Sequence, residues 1–191
     1  TMPLLGLGLY KATSEGEAES AIEAAVQNGY RLIDTASAYK NEENVGRGIA
    51  RCGIPRRDLF VTTKIWNNAQ RLGDVEGAFN RSLDRLGLDY IDLYLIHWPV
   101  PGCYLSTWKE MEKILESGRA LSIGVSNFEV RHLEELRKVS GIVPAVNQIE
   151  CHPLCYPKEL IEYCQGNGIQ VQAYAPLARG AYLDNDVLCV L

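Results

Sequence analysis

The chain has 191 residues, of which 47% are hydrophobic and 23% charged, and this composition predicts one globular domain, residues 1–191, with a sizeable core. A formal net charge of −5 and the lack of a run of Lys and Arg argue against a nucleic-acid-binding surface. No apolar stretch approaches the roughly 18 residues that span a bilayer, and the N-terminus does not resemble a signal peptide, so we expect a cytoplasmic protein without a membrane partner.

Seven short runs rich in branched apolar residues predict strands. Two of them, LFVTTK and DLYLIH, are apolar on successive residues, which is typical of strands that are covered on both faces in a parallel sheet. The predicted strands are Leu4–Leu9, Arg31–Asp34, Leu59–Lys64, Asp92–His97, Ala120–Val125, Ala145–Gln148 and Gln170–Tyr174.

Amphipathic segments between these runs predict helices. Apolar residues recur at helical spacing in each segment, and Gly29 and Gly87 stand where a helix would end. The predicted helices are Glu15–Asn28, Glu42–Ala50, Val75–Leu86, Thr107–Glu116, Val130–Val139 and Lys158–Gln165.

The alternation of strand and helix predicts an α/β fold of parallel units with right-handed crossovers. Two architectures compete, an open doubly wound sheet and a closed β/α barrel. An open nucleotide-binding sheet would carry a glycine fingerprint in its first strand–helix turn. The segment Gly6–Lys11 (GLGLYK) lacks the third glycine and leads into a loop, so the barrel is favoured, although such barrels usually need about 250 residues.

Polar residues follow the apolar strands at their C-terminal ends, where a β/α barrel gathers its chemistry. Any one of them alone could cap a helix or be solvated. Several on consecutive strands predict a shared site, because buried polar groups without partners are costly. These residues are Asp34, Lys64, His97, Asn127, Gln148 and Tyr174, with Tyr39 shortly after Asp34.

The residue types in this set are suited to proton delivery. A tyrosine with a pKa near 10 is a poor acid at neutral pH unless a cation lowers its pKa. Lys64 could supply that charge to Tyr39, and Asp34 could hold the ammonium group in place. His97 could donate a hydrogen bond to the oxygen that Tyr39 protonates. This arrangement favours reduction of a carbonyl group.

Carbonyl reduction also needs a hydride, and because no side chain supplies one, the site requires a reduced nicotinamide. Ser126, Asn127 and Gln148 carry groups that can bind a carboxamide, and Tyr174 could stack on the ring. A metal is not expected. Cys151, His152 and Cys155 lie close together, but zinc sites normally need a fourth ligand and no second cluster is nearby. The six cysteines, at 52, 103, 151, 155, 164 and 189, are expected to be buried, reduced thiols.

Six strings, LIDTASAYKNEENVG, LFVTTKIW, LGLDYIDLYLIHWP, SIGVSNF, VNQIECHP and YAPL, resemble the aldo-keto reductase superfamily. The resemblance extends from about Met2 to Tyr182 and implies a (β/α)8 TIM barrel that reduces aldehydes and ketones with NADPH. It assigns proton donation to Tyr39, with Lys64 and Asp34 as the pair that tunes it. His97 matches the residue that orients the carbonyl.

The same resemblance implies contacts for the cofactor and for a small carbonyl substrate. Tyr10 stands where many members have Trp. The implied NADPH/NADP+ contacts are Gly8, Leu9, Tyr10, Asp34, Ser126, Asn127, Gln148, Tyr174, Pro176 and Leu177. The implied substrate contacts are Tyr10, Trp66, His97 and Trp98.

The sequence also departs from the family pattern, because it ends at Leu191, soon after the seventh strand. We therefore expect a barrel truncated after that strand, without the eighth strand and last helices. The chain is then a fragment of a longer active enzyme, a truncated gene product, or a chain that folds alone or in an assembly that closes the sheet. The missing part includes the segment that clamps the 2′-phosphate of NADPH, so the preference for NADPH over NADH rests on the family alone. The full-length enzyme is expected to be a monomer.

Two functional interpretations stay open. The intact set of four catalytic positions favours a carbonyl reductase, whereas truncation favours a non-catalytic NADP-binding or structural member of the same family. The compact loop between His97 and Trp108 resembles that of microbial and protozoan members, including reductases of small dicarbonyls or prostaglandin endoperoxides. It does not identify a substrate.

Overall fold

A computed structural model of the chain describes residues 1–181 and Asn185. Its seven strands form one sheet in sequence order, and every neighbouring pair is parallel. The strands are β1 (Gly6–Gly8), β2 (Leu32–Asp34), β3 (Phe60–Ile65), β4 (Leu93–Ile96), β5 (Ile123–Ser126), β6 (Val146–Glu150) and β7 (Gln170–Tyr174). All seven predicted strands are thereby confirmed, with ends that differ by a few residues.

The helices lie between consecutive strands. They are α1 (Glu17–Gln27), α2 (Glu42–Arg51), α3 (Asn67–Leu72), α4 (Val75–Leu86), α5 (Tyr104–Glu116), α6 (Val130–Val139) and α7 (Lys158–Gly166). The six predicted helices are confirmed. The short α3 is not predicted by the sequence pattern, and α5 begins three residues before its predicted start. None of the helices in the described part of the chain is both long and apolar enough to cross a membrane.

The strand β4 shows why successive apolar residues are needed. All four of its residues are buried. Leu93 and Leu95 pack inside the barrel with Val146, whereas Tyr94 and Ile96 face the larger core between the sheet and the helices. Because side chains alternate across a strand, a strand that is covered on both faces favours apolar residues at successive positions, as β4 has them.

The sheet curls into a nearly closed barrel. Gln148 on β6 donates a hydrogen bond from Nε2 to Oδ2 of Asp34 on β2, over 2.8 Å. In a flat sheet these two strands, four positions apart, would be separated by roughly 19 Å at a spacing of about 4.8 Å per strand. The prediction of an incomplete (β/α)8 barrel is therefore confirmed, and the open doubly wound sheet is excluded.

The cysteine prediction is only partly met. The five cysteines within the described residues are free thiols, but Cys164 alone among them is fully buried and the other four are half-buried. Cys189 lies outside the described residues. No group of three or more His, Cys, Asp or Glu side chains in residues 1–181 is arranged to hold a metal ion.

Candidate active site

The polar strand ends surround one cavity of about 1210 Å³ at the C-terminal mouth of the barrel. The cavity continues down to the opposite end of the barrel, where Met2, Phe60 and Gln170 line it. Most of the site residues inferred from the sequence also line it, namely Gly8, Tyr10, Asp34, Tyr39, Trp66, His97, Trp98, Ser126, Asn127, Gln148, Tyr174 and Pro176.

Asp34 and Lys64 form a buried ion pair beneath this mouth. The Nζ of Lys64 donates to Oδ1 of Asp34 over 2.5 Å and to the backbone oxygen of Thr35 over 3.0 Å. The Lys64 side chain is 0% exposed. A buried ammonium group requires such partners, because an unpaired charge in the protein interior is strongly destabilising. The sequence-based pairing of these two residues is observed.

Tyr39 and His97 are brought together above the ion pair. Their ring centroids are 5.6 Å apart with the rings nearly perpendicular. Lys64 Nζ lies 5.3 Å from the centroid of the Tyr39 ring, and the Trp66 ring lies 5.0 Å from that of His97. The short 3₁₀ helix Ser37–Tyr39 that follows β2 carries Tyr39 into this position.

The pKa of Tyr39 differs from the sequence-based expectation. Burial raises the pKa of this phenol well above its usual value, and the Asp34 carboxylate raises it further. The sequence alone predicts that Lys64 lowers this pKa. The positive charge of Lys64 is instead largely compensated by Asp34, 2.5 Å away, so the phenol is affected more by the loss of solvation. Tyr39 therefore keeps its proton at neutral pH.

His97 is neutral in this environment. Burial lowers its pKa to about 3, and the nearby charge of Lys64 acts in the same direction. Its Nδ1 is buried and has no hydrogen-bond partner among the residues that the structure describes. A neutral imidazole carries one N–H, so His97 can donate one hydrogen bond to a carbonyl oxygen.

Asn127 is fixed in the loop after β5 by several hydrogen bonds. Its Nδ2 donates to the backbone oxygen of His97 over 3.0 Å and to Ser126 Oγ over 3.1 Å. Its Oδ1 accepts the hydroxyl hydrogen of Tyr174 over 2.9 Å, and Ser126 Oγ donates to the backbone oxygen of Gln148 over 2.9 Å. The three C-terminal strands β5 to β7 are thereby connected at the mouth.

Gln148 connects this group to the ion pair. Its Nε2 donates to Oδ2 of Asp34 over 2.8 Å and to Oε1 of Gln172 over 3.0 Å. The contact with Gln172 was not foreseen from the sequence. The sequence does indicate one thing about Gln172: the period-two pattern of β7 places it on the same face as Tyr174.

Two residues from the sequence-based set lie elsewhere. The Leu9 side chain is 2% exposed and packs in the main core, outside the cavity, because β1 leads there into a turn that is held by Asn41. Leu177 is 69% exposed and does not line the cavity. Tyr10, in contrast, packs its ring 5.1 Å from that of Tyr39, between centroids, and is itself 55% exposed.

Asn41 is a second residue that sequence reasoning missed. Its Nδ2 donates to the backbone oxygens of Leu9 and Ala12, over 2.8 and 3.0 Å, and its Oδ1 accepts from the Thr35 hydroxyl over 2.8 Å. It thus holds the loop after β1 against the end of β2. Because Asn immediately before a helix is a common N-cap, the sequence pattern indicates a local capping role for Asn41 and not these longer-range contacts.

Left-handed backbone conformations are concentrated at the same mouth. In the described part of the chain, every non-glycine residue with a positive φ lies in a loop after β1, β2, β5 or β7. Such conformations are strained for residues with a Cβ and are often found at functional sites. The residues are Lys11, Lys40, Asn127, Ala175, Ala178 and Arg179.

The cavity fits a nicotinamide group in two respects. A Cβ added at Gly8 would meet no atom within 4 Å, so the backbone there is open to a bound group. The amide of Gln148 and the Ser126 hydroxyl present polar atoms of the kind that a carboxamide requires.

Comparison with known protein families gives a match over nearly the whole chain. The model of the Aldo/keto reductase family matches residues 4–187. Glyoxal reductase of Bacillus subtilis is 52% identical over 187 residues, which are 98% of this chain and 68% of the relative. The 9,11-endoperoxide prostaglandin H2 reductase of Trypanosoma cruzi is 47% identical and is matched over 67% of its length, with 98% of this chain covered.

Solved structures agree with these sequence matches. An aldo-keto reductase from a Medee basin deep-sea metagenome library superposes with a TM-score of 0.95 at 46% identity, over 100% of this chain and 71% of the other. A Bombyx mori aldo-keto reductase in complex with NADP has a TM-score of 0.84 at 41% identity, over 91% of this chain and 62% of the other. The chain belongs to the aldo/keto reductase family of oxidoreductases.

Proposed function

We propose that this protein reduces aldehydes and ketones to alcohols with NADPH, and that Tyr39 is the proton donor. The observation that carries the proposal is the convergence of Tyr39, His97 and the Lys64–Asp34 ion pair on one cavity. Lys64 Nζ lies 5.3 Å from the centre of the Tyr39 ring, and the rings of Tyr39 and His97 are 5.6 Å apart.

NADPH, when bound, would supply a hydride for the carbonyl carbon. The negative charge that develops on the carbonyl oxygen needs a donor and a proton. His97, neutral because burial lowers its pKa to about 3, donates a hydrogen bond to that oxygen. Tyr39 gives it the proton, and Lys64 stabilises the tyrosinate that is left. A raised pKa ensures that Tyr39 is protonated before each turnover, while an alkoxide is a strong enough base to take the proton.

The cofactor contacts follow from the positions of the polar groups. Ser126, Asn127 and Gln148 would hold the carboxamide, and Tyr174, whose hydroxyl is held by Asn127 at 2.9 Å, would pack against the ring. Gly8, Tyr10 and Pro176 complete the walls on the β1 and β7 sides. Leu9 and Leu177 do not line the cavity, so we do not include them among the proposed cofactor contacts.

The aromatic residues at the mouth favour a small carbonyl compound as substrate. Tyr10, Trp66 and Trp98 line the cavity beside His97 and would form apolar walls around a short aldehyde or ketone. The name of the Bacillus subtilis relative, glyoxal reductase, suggests glyoxal as the first compound to test.

We also propose a single domain over residues 1–191 that acts in the cytoplasm, and a monomer for the full-length enzyme. All groups invoked in the reaction come from one chain: Tyr39, His97 and Asp34 line one cavity, and Lys64 is paired with Asp34 beneath it, so no second copy is required. The five described cysteines are free thiols, which is the state that a reducing compartment maintains.

The direct test follows NADPH absorbance with glyoxal and with an aromatic aldehyde. We expect oxidation of NADPH that depends on both the protein and the carbonyl compound. Binding of NADPH without turnover of any aldehyde or ketone would contradict the proposal and favour a non-catalytic, cofactor-binding member of the family.

A further inference from the structure

The amide group of Gln148 uses both of its hydrogens within the protein. One N–H is donated to Asp34 Oδ2 over 2.8 Å and the other to Gln172 Oε1 over 3.0 Å. A carboxylate oxygen can only accept, so the contact with Asp34 requires the nitrogen of Gln148, not its oxygen, on that side. No described residue donates to Oε1 of Gln148, which keeps its lone pairs available.

The hydrogen bond to Asp34 alone does not define the orientation of the Gln148 amide plane. Its Oδ1 is engaged by Lys64 Nζ at 2.5 Å, and its Oδ2 receives one N–H from Gln148. With a single hydrogen bond the amide plane can rotate about that contact. The second bond, to Gln172, defines the plane and thereby the direction in which Oε1 points. Gln172 lines the same cavity.

The other amide at the mouth is differently engaged. Asn127 donates from Nδ2 to the backbone of His97 and to Ser126, and its Oδ1 already accepts from Tyr174 over 2.9 Å. Of these two side-chain amides, Gln148 is therefore the one whose oxygen is free to accept an N–H from a ligand.

We propose that Gln172 is a positioning residue for the cofactor. It orients the amide of Gln148 so that Oε1 accepts a hydrogen bond from the carboxamide N–H of the nicotinamide. Gln172 itself does not touch the reacting atoms. This inference rests on the proposed function, because it assumes that Gln148 holds the carboxamide.

The test uses a cofactor analogue that lacks the hydrogen in question. The 3-acetylpyridine analogue of NADP+ has an acetyl group in place of the carboxamide, so it keeps the carbonyl oxygen but has no N–H. Dissociation constants for NADP+ and for the analogue are measured by calorimetry on the full chain. The Gln172→Met variant keeps the length of the side chain but removes the hydrogen bond.

We expect Gln172→Met to raise the Kd for NADP+ about fivefold, the effect of one hydrogen bond of ordinary net strength. The Kd for the analogue should change less than about twofold. Gln172→Glu keeps an acceptor oxygen at the same reach and should preserve the discrimination between the two cofactors. General damage to the fold would weaken the binding of both cofactors alike.

Two further variants test whether Gln172 acts through Gln148 or whether any substitution on this face of β7 disturbs cofactor binding. Gln170→Met alters the same residue type on the same face of β7, at the end of the strand far from the mouth, where the Gln170 amide bonds only the adjacent Val171 oxygen. It should bind as the wild type does. In a Gln148→Leu background, Gln172→Met should have no additional effect, because Gln172 acts through Gln148.

The outcomes distinguish the two levels of the proposal. If the wild type and Gln172→Met discriminate equally, while Gln148→Leu does not discriminate, the role of Gln172 is refuted and the proposed function stands. If the unaltered chain does not bind NADP+, both the proposed function and the role of Gln172 are refuted.

Discussion

At the scale of single residues, Asp34 joins the two halves of the site. Its Oδ1 holds the Lys64 ammonium beneath Tyr39, and its Oδ2 holds the Gln148 amide. In the proposed reaction, one carboxylate therefore positions both the charge that would stabilise a tyrosinate and the amide that would bind the carboxamide. A change at Asp34 would alter both at once, so it cannot separate proton transfer from cofactor binding.

Tyr39→Phe can separate them, because it removes only the hydroxyl group. We expect kcat to fall by at least about a hundredfold, the usual range for loss of a general acid, with the Kd for NADP+ within about twofold of the wild type. Stopped-flow or steady-state reduction and a binding titration on the same preparation check this. Turnover close to that of the wild type would show that another group supplies the proton.

His97 makes a specific prediction about pH. Its pKa is lowered to about 3, first by burial and then by Lys64, whereas an unfolded chain has a histidine pKa of about 6.5. Between these values the unfolded chain binds a proton that the folded chain does not. The contribution of His97 to the free energy of unfolding is therefore fully present above pH 6.5. It is lost as the pH falls from about 6.5 towards 3, by up to about 1.4 kcal/mol per pH unit.

The measurement is urea unfolding at several pH values from 7 to 4, for the wild type and for His97→Asn. The variant should show a shallower loss of stability as the pH falls. The lowered pKa of His132 contributes to the slope in both proteins, so a difference between them isolates His97. Identical slopes would contradict a buried, neutral His97.

At the scale of elements, the packing of α2 against α4 depends on a glycine. A Cβ added at Gly46 would lie 2.4 Å from the backbone oxygen of Leu86 and 2.7 Å from its carbonyl carbon. Because both partners are backbone, a rotamer change cannot relieve the overlap, and the two helices must separate.

Gly46→Ala should therefore lower the free energy of unfolding by about 1–3 kcal/mol, the usual cost of overpacking. Gly166→Ala is the matched control, since Gly166 is also helical and an added Cβ there meets nothing within 4 Å. Chemical denaturation of both variants checks the difference. A loss of stability that is equal in the two would mean that close helix contact is not the cause.

How far the sequence predicts these elements depends on the range of the interactions. The period of apolar residues is local, so strands such as β4 and the cap at Gly87, with φ of 63°, were predicted. The helix α3 was missed because NNAQRL has too few apolar residues to form a stripe. The contacts of Gln172 and Asn41 join distant segments. The period-two pattern of β7 indicates which face Gln172 lies on, but no local pattern identifies the partner of either residue.

The site was predicted by residue type more accurately than by electrostatics. The meeting of Asp34, Lys64 and His97 follows from polar residues at the ends of apolar strands, which converge in a barrel, and Tyr39 lies in the 3₁₀ helix just after β2. The direction of the Tyr39 pKa shift could not be predicted, because it depends on how deeply the phenol is buried and on the 2.5 Å pairing that compensates Lys64. Both quantities are properties of the folded chain.

At the scale of the whole molecule, the cavity is lined by both ends of the strand order. Gly6 and Gly8 on β1 and Gln170 to Tyr174 on β7 line it together, although β1 and β7 do not pair with each other in the described residues. A ligand that contacts both strands would therefore connect the two edges of the sheet.

We expect saturating NADP+ to stabilise the protein and to do so most at these two strands. A ligand at about a hundred times its Kd adds about 2.7 kcal/mol to the free energy of unfolding, so Tm should rise in a thermal scan. Hydrogen exchange should slow at the amides of β1 and β7 more than in α4, which lies outside the cavity. Gln148→Leu, with weakened binding, should need more NADP+ for the same shift. If Tm rises but protection is confined to β5 and β6, the ligand does not connect the edges, and the placement of Gly8 and Pro176 in the cofactor site is wrong.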